Sequence, residues 1–273
     1  ERVNQTLEMV LCNLASGSTG NATFLASSQG TLLVDAGITA RSLVAALQPL
    51  SALPEDLKAI LVTHEHIDHI KAIGPLVRKY RIPVYATRGT WTAMDLSGKV
   101  GVLPPDCRVV IEPEQDFLIC GMRVAAHDIC HDAAQPVCYT FSRGASRLAV
   151  ATDLGHMTPY LAEKLSGCQT ILLESNHDVG MLERNPRYPP MLKRRILGPN
   201  GHLCNEDAAQ AAVQLFESGT HTFLMGHLSQ HNNTSDKAFD CMCEAMLRRN
   251  LLPGRDVTIA MTWPDRPTAL FAV

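Results

Sequence analysis

The sequence predicts a mixed α/β fold, of a kind that two mixed β-sheets packed face to face with helices outside would satisfy. Three observations lead there. Short apolar, β-prone runs alternate along the chain with stretches of helical periodicity. No repeat, low-complexity tract or Gly/Ser linker divides the 273 residues, which read as one domain, 1–273. Hydrophobic residues make up 46% of the chain, enough to bury the core that such layers need.

The elements follow in order. Residues 1–8 are polar and read as a disordered, frayed start. Strand-like runs lie near 7–14, 22–26, 31–35, 59–63 and 83–86. A helix is expected after Thr39, with Leu43, Val44 and Leu47 on one face. Another is expected after His69, where Ile70, Ile73, Val77 and Tyr80 stand at helical spacing. Short strands come next, near 116–126, 137–142 and 147–151, with Cys120-Gly121 as a hairpin turn. A strand near 170–174 runs into a Pro-rich loop. Asn205 reads as the N-cap of a helix over 206–218, whose first turn carries Glu206 and Asp207 where the helix dipole favours acids. A last helix follows Thr234 or Ser235 and ends near Arg248-Arg249, where cations suit its C-terminus.

Composition excludes several classes. No apolar run approaches the ~20 residues of a membrane span, and no basic start with an apolar stretch and cleavage site suggests a signal peptide. Nine cysteines are scattered without a paired framework, and Cys241-Met242-Cys243 is not a zinc-binding pair. Reduced thiols in the cytoplasm are the expectation. The net charge of −3 gives no global attraction to nucleic acid, so a polyanion would have to be met locally. Arg184, Arg187, Lys193, Arg194 and Arg195 offer such a patch, although a charge run is equally a solvated face.

The chemistry concentrates in Thr63-His64-Glu65-His66-Ile67-Asp68-His69, directly after the apolar run Ala59-Ile60-Leu61-Val62. A strand ending there delivers four potential ligands to one loop edge. His64 and His66, two apart, point the same way in extended backbone. Asp68 and His69 follow as the chain turns into a helix, within reach of a second ion. Neutral imidazoles with a carboxylate suit zinc or a similar divalent cation. This pattern resembles the signature of the metallo-β-lactamase-fold hydrolases, which implies a four-layer αββα architecture. The resemblance also implies further ligands: His131 in Ile129-Cys130-His131-Asp132-Ala133, Asp153 in Ala151-Thr152-Asp153-Leu154-Gly155, and His227 in Met225-Gly226-His227-Leu228-Ser229. It puts His64, His66 and His131 on one ion and Asp68, His69 and His227 on the other, with Asp153 between them. His127 is the rival for the third position, and the family pattern favours His131. Asp35, in Val34-Asp35-Ala36-Gly37, would brace the histidine loop from behind, the alternative being an ordinary turn-capping aspartate.

The resemblance narrows further. Leu14-Ala15-Ser16-Gly17-Ser18-Thr19-Gly20-Asn21, Val34-Asp35-Ala36-Gly37, Glu174-Ser175-Asn176-His177-Asp178, Lys193-Arg194-Arg195-Ile196-Leu197, Gly201-His202-Leu203-Cys204-Asn205-Glu206-Asp207-Ala208-Ala209 and His227-Leu228-Ser229-Gln230-His231-Asn232-Asn233 occur in that order. Together they look like the bacterial YycJ/WalJ family, from about Leu11 to the last residue. Cys204 stands where the family usually has serine, and His231 where an acidic residue is common. The family implies a cytoplasmic, metal-dependent 5′→3′ exonuclease on DNA, with RNA as the neighbouring possibility.

Two divalent ions can make a nucleophile of water at neutral pH and clamp the oxygens of a phosphodiester. Zinc is expected first, manganese or iron second. Asp153 bears on the reaction, because lactam-cleaving relatives generally lack an aspartate there whereas phosphodiesterases and glyoxalase-like thioesterases keep it. The expected catalytic set is Asp68, Asp153 and His202. His202 precedes a helix as in a segment of ribonuclease Z, where that histidine contacts the scissile phosphate or protonates the leaving oxygen; the bland alternative is a packing residue at the helix start. His177, Ser229, Asn232, Arg194 and Arg195 are expected to touch substrate beside His202. The loop from Ser16 to Asn21 could offer backbone N–H groups to a phosphate or be a plain turn. His156, His221 and His231 read as surface residues or as residues behind the ligands, and Met242 and Met246 as core. Two alternatives remain: hydrolysis of a small phosphodiester, thioester or β-lactam, or a metal-bound regulatory protein without turnover.

Overall fold

Runs such as Leu32-Leu33-Val34, Ala59-Ile60-Leu61 and Ile171-Leu172-Leu173 are apolar at every position, not at alternate ones. The computed structural model describes residues 9–273 and shows both faces of these strands covered. Leu32, Val34, Ala59 and Leu61 lie in a cluster with Tyr139, Phe141, Val150, Leu172 and Leu224, between two sheets. Their neighbours Leu33 and Ile60 belong to a second cluster with Leu43, Leu76 and Trp91 from the helices outside. Ile171, Leu173 and Phe223 belong to a third, with Leu161, Ala212, Met242 and Met246. Three apolar seams in series make four layers, αββα, and strands buried on both faces need no polar alternation.

The first sheet holds β1 (Val10–Ala15), β2 (Ala22–Ser27), β3 (Gly30–Val34), β4 (Leu57–Leu61), β5 (Val84–Thr87), β6 (Arg108–Ile111) and β14 (Phe271–Ala272), in the order β14-β1-β2-β3-β4-β5-β6. The second holds β7 (Phe117–Ile119), β8 (Met122–Asp128), β9 (Val137–Arg143), β10 (Ser146–Ala151), β11 (Thr170–Glu174), β12 (Thr222–Gly226) and β13 (Thr258–Met261), in the order β13-β12-β11-β10-β9-β8-β7. Strands β3 to β6 are parallel, as are β10 to β13. Crevices at the carboxyl ends of parallel strands are where such sheets place their sites. Among the described residues no helix is long and apolar enough to cross a membrane. All nine cysteines are free thiols.

Most helices follow the pattern of the sequence. α1 (Ala40–Leu47) starts at Thr39, whose hydroxyl accepts from Ser42 N at 3.1 Å, and α9 (Ser235–Leu247) starts at Thr234 in the same way. The helix expected after His69 is instead two pieces, α2 (Ile67–Ile70) and α3 (Ile73–Tyr80). The carbonyls of Asp68 and His69 accept from Asn21 N and Ala36 N, at 2.7 and 2.8 Å, so they are not free to continue α2. Gly37 allows this contact, because a Cβ there would lie 1.5 Å from the Asp68 carbonyl oxygen. Asn205 is likewise not the cap of α8 (Asn205–Glu217). Cys204 is, its sulfur accepting from Asp207 N at 3.4 Å. The Asn205 amide instead accepts from Ser175 Oγ at 2.7 Å and pairs with Asn233. The remaining helices are α4 (Arg88–Ser97), α5 (Pro159–Leu165), α6 (Val179–Arg184) and α7 (Pro190–Ile196). The last two occupy the segment expected to be a Pro-rich loop. Proline suits the first turn of a helix, and Pro190 opens α7. The expected strand near 7–14 is β1, and the frayed start over 1–8 lies outside the described residues.

Candidate metal centre

β4 ends at Leu61, and two residues later the chain enters the histidine loop, with His64 and His69 fully buried. Asp35, just after β3, fastens both ends of that loop. Its carboxylate accepts from Thr63 N and Thr63 Oγ1, each at 2.8 Å, and from His69 Nδ1 at 2.7 Å. The Thr63 hydroxyl gives its proton to Asp35, so its oxygen is left to accept from His64 Nδ1 at 3.0 Å. Each of these bonds occupies an Nδ1 and turns the corresponding Nε2 toward the loop interior. A carboxylate behind an imidazole fixes the tautomer and makes the other nitrogen the better ligand.

The partners come from the second sheet. His131, in the loop between β8 and β9, has Nδ1 3.1 Å from the Gly201 carbonyl, to which it donates, and Nε2 3.4 Å from His66 Nδ1. His66 Nδ1 also lies 3.0 Å from His64 Nε2, so three ring nitrogens converge. A second group is Asp68 Oδ2, 3.7 Å from both His69 Nε2 and His227 Nε2. Asp153, two residues past β10, stands between the groups, 3.3 Å from His69, 3.3 Å from His227 and 3.8 Å from His131. Asp35, Asp153 and His227 all have left-handed backbone, with φ of 61°, 60° and 55°. Such strain costs on the order of 1–3 kcal/mol per residue and is held only where surroundings dictate it.

These residues fit divalent metal ions. Asp153 Oδ2 and His227 Nε2 are buried and have no hydrogen-bond partner. A buried polar atom left unpaired costs about 1–3 kcal/mol, which a cation at that point would offset. Histidines from each group lie close enough to share a carboxylate, as His64, His69 and Asp153 do. The donor set, imidazole nitrogens and carboxylate oxygens, is that of zinc and its neighbours.

Charge divides the two groups. Burial, with the neighbouring His69 and His131, holds His64 well below its ordinary pKa, and burial also lowers His131 despite Asp153. Burial works against charge on His69 as well, but Asp153 and Asp35 outweigh it and lift the group to about 9. His227 is held well above its ordinary value against its burial by Asp153, Asp68 and Glu174. Burial disfavours charge on Asp153 too, yet His227, His69 and His131 hold it below the ordinary carboxylate value.

Glu174 was not expected at the site. It is fully buried at the end of β11, and its Oε1 accepts from His227 Nδ1 and His202 Nδ1, each at 2.8 Å. Its Oε2 accepts from Leu154 N at 2.7 Å. The signal was present in Thr170-Ile-Leu-Leu-Glu174: a carboxylate closing an otherwise apolar strand, as Asp153 does after Ala149-Val150-Ala151.

A cleft of about 320 Å³ opens over these groups. Of the residues expected to touch substrate, His202, Ser229 and Arg195 line it. The other three do not. His177 is buried at 1% exposure with neither ring nitrogen hydrogen-bonded, Asn232 is buried in contacts with Asn185 and Ser229, and Arg194 is exposed away from the cleft. Arg195 is itself ion-paired with Asp132. His127 is not near the metal groups; it bonds Glu114 and Thr140. Lys99 and Tyr188, which the sequence did not single out for the site, are in the cleft wall. The Ser16 hydroxyl accepts from His227 N at 2.7 Å, so the glycine-rich loop braces the centre, and Ser18 reaches the cleft.

Four layers with histidines and aspartates gathered at the carboxyl ends of the parallel strands define a metallo-β-lactamase-fold hydrolase. Residues 31–227 match the Beta-lactamase superfamily domain. Within that superfamily the chain belongs to the YycJ/WalJ family. It is 37% identical to exodeoxyribonuclease YycJ of Bacillus anthracis over 257 residues, 94% of this chain and 96% of that one. It is 36% identical to exodeoxyribonuclease WalJ of Streptococcus pneumoniae, over 94% of this chain and 95% of that one. Among solved structures, the metallo-beta-lactamase fold protein YhfI from Bacillus subtilis matches with a TM-score of 0.70 at 15% identity, covering 95% of this chain and 98% of that one, a likeness of fold.

Proposed function

We propose that the chain is a dinuclear metal-dependent exodeoxyribonuclease, acting 5′→3′ in the cytoplasm as one catalytic domain over residues 1–273. His64, His66 and His131 would hold one ion and Asp68, His69 and His227 the other, with Asp153 shared; zinc fits this donor set first. Bound there, the ions would supply an activated water at neutral pH and positive charge for the phosphate oxygens.

The observation that carries the reading is His202. Its Nδ1 donates to buried Glu174 at 2.8 Å, it lies 3.7 Å from Asp153, and its ring lines the cleft. Burial opposes charge on the ring, but Glu174 and Asp153 outweigh it and raise its pKa above the ordinary imidazole value. With Nδ1 held by Glu174, His202 is placed to give an Nε2 proton to a leaving oxygen, which a phosphodiester of DNA needs and a p-nitrophenyl ester does not. Glu174 keeps that imidazole in one orientation. Ser229, Lys99 and Arg195 face the same cleft, where the strand backbone would pass. Arg195 would exchange Asp132 for a phosphate, since both present a planar pair of oxygens to its fork. The names of the relatives support DNA as the polymer.

The test is turnover with added zinc or manganese of end-labelled single- and double-stranded DNA, RNA, bis-(p-nitrophenyl) phosphate and nitrocefin. DNA shortened from its 5′ end, with nitrocefin intact, is the expected result. Intact DNA alongside rapid cleavage of nitrocefin or a thioester would overturn the reading.

A further inference from the structure

Next to the cleft lies a second cavity of about 310 Å³, lined by Met181, Arg184, Asn185, Pro186, Arg187 and His231. Tyr188 belongs to the cleft wall, and its ring stands edge-on to the His231 imidazole, 6.3 Å between centroids at 83°. The pair forms the partition between the two spaces. Three neighbouring cations are already engaged, Arg195 with Asp132, Lys237 with Asp178, and Lys193 with the Glu183 carbonyl. Among the described residues, Arg184 and Arg187 have no carboxylate within ion-pair distance, and both are exposed at the cavity.

The cavity is tied to the cleft by one buried side chain. Asn232 Oδ1 accepts from Asn185 Nδ2 at 2.6 Å, and its Nδ2 donates to Ser229 Oγ at 3.3 Å. Asn185 Oδ1 in turn accepts from Arg187 N at 2.9 Å. A wall of the cavity and a wall of the cleft therefore share a rigid support.

We infer that this cavity is a second phosphate site for a single-stranded nucleic acid. It would hold a backbone phosphate of the strand whose scissile phosphate lies in the cleft, with Tyr188 as a stacking face for the base between them. This rests on the reading of the cleft as a phosphodiesterase site. Two unpaired guanidinium forks at a concavity suit a phosphate. A half-buried aromatic with its ring in the cleft wall beside them suits an unstacked base, which a duplex does not offer. With a net charge of −3 the molecule has no general attraction for a polyanion, so such contacts must be local.

The test is a series of single-stranded DNA oligonucleotides from dinucleotide to octanucleotide, with bis-(p-nitrophenyl) phosphate as the short reference. For the unmodified enzyme kcat/KM should rise with length until the strand spans both sites. Arg184→Ala/Arg187→Ala should remove about tenfold of that rise, through KM, and lower the salt slope by about 0.7 for each phosphate no longer neutralised. It should leave the dinucleotide and the small diester unchanged. Tyr188→Phe should keep the length effect, while Tyr188→Leu should lose it by about an order of magnitude, the usual worth of one stacked base. An unaltered length profile in the double variant overturns the inference, as do equal losses on dinucleotide and octanucleotide. If the unmodified enzyme cleaves the small diester but no oligonucleotide, the nuclease reading fails and the subsite with it; if oligonucleotides are cut and only the length profile fails to respond, the subsite alone is wrong.

Discussion

The first sheet delivers four of the seven candidate ligands, His64, His66, Asp68 and His69, from one loop after β4, whereas the second delivers its three, His131, Asp153 and His227, from three separate strand ends. The contiguous group needs little to organise it: one carboxylate, Asp35, fastens the loop at Thr63 and His69. The dispersed group needs a hub, and Glu174 serves, binding His227, His202 and Leu154 N from three segments. A loop of ligands can be assembled by local backbone geometry, while ligands from separate strands depend on the whole sheet and on a buried charge that joins them. The candidate centre forms only where the two meet, with Asp153 touching histidines from both.

The largest effects should come from cutting that junction. His66→Ala removes a nitrogen from the group with His64 and His131 only, so the second group should keep its ion. Asp153→Asn is nearly isosteric but takes charge from between both groups, so both ions should weaken. Each should lower kcat/KM on bis-(p-nitrophenyl) phosphate by about 10³-fold or more, several kcal/mol of transition-state stabilisation. Metal analysis after dialysis separates the two: one ion missing for His66→Ala, both depleted for Asp153→Asn. Full metal content and activity in Asp153→Asn would remove the shared ligand from the scheme.

Next comes the hub. His202→Ala should keep both metals and lower kcat on DNA by about 10²–10⁴-fold, with a smaller loss on a p-nitrophenyl ester. Glu174→Gln should cost less, about 10–100-fold, because it loosens His202 and His227 without removing either. A variant of His202 that released a metal ion would make that residue a ligand and redraw the dispersed group.

The same contrast governs what could be read from the sequence. The loop from His64 to His69 was legible because its ligands are neighbours, whereas the four layers came from the family resemblance, since apolar stretches such as Ala59-Ile60-Leu61 and Ile171-Leu172-Leu173 by themselves show only mixed α and β. Glu174 left only a weak signal, a carboxylate closing an apolar strand, and one such group looks like any turn residue until His202 and His227 are seen to converge on it. His177 and Asn232 sit in motifs beside the site, but spacing along a loop does not say which side chain turns inward; both are buried off the cleft. The break between α2 and α3 depends on Asn21 and Ala36, more than thirty residues upstream, taking two carbonyls. Local periodicity carries no trace of such a competitor.

Charge cuts across the division between sheets and gives a subtler test. With His64 and His131 lowered and His69 and His227 raised, the metal-free protein at neutral pH carries its protons on the group with Asp68. A raised histidine stabilises the metal-free fold below the unfolded imidazole pKa, and this contribution is lost as pH rises through about 9, the value for His69. Loading that group must expel protons, so its metal affinity should climb with pH, by up to about tenfold per unit for each proton released. The group with His64 and His131 should depend on pH much less. Calorimetric titration in buffers of different ionisation enthalpy counts the protons, and equal release from both groups would contradict the division.

The smallest effect lies at the start of α8, close behind the hub. Cys204 caps this helix through a sulfur 3.4 Å from Asp207 N, and thiols are weak acceptors. Cys204→Ser places a hydroxyl, among the preferred N-cap groups, at the same position, where the acids Glu206 and Asp207 already suit the helix dipole. The gain should be a few tenths of a kcal/mol to about 1 kcal/mol, since caps are worth that much. In a chain of this size that is a rise of about 1–4 °C in Tm. Activity on DNA should stay within about twofold, because His202 is held by Glu174 and not by the cap. A lower Tm would mean that the half-buried sulfur is retained for its packing. A large change in kcat with unchanged Tm would show that the cap sets the position of His202, and the hub would then extend from Glu174 into the first turn of α8.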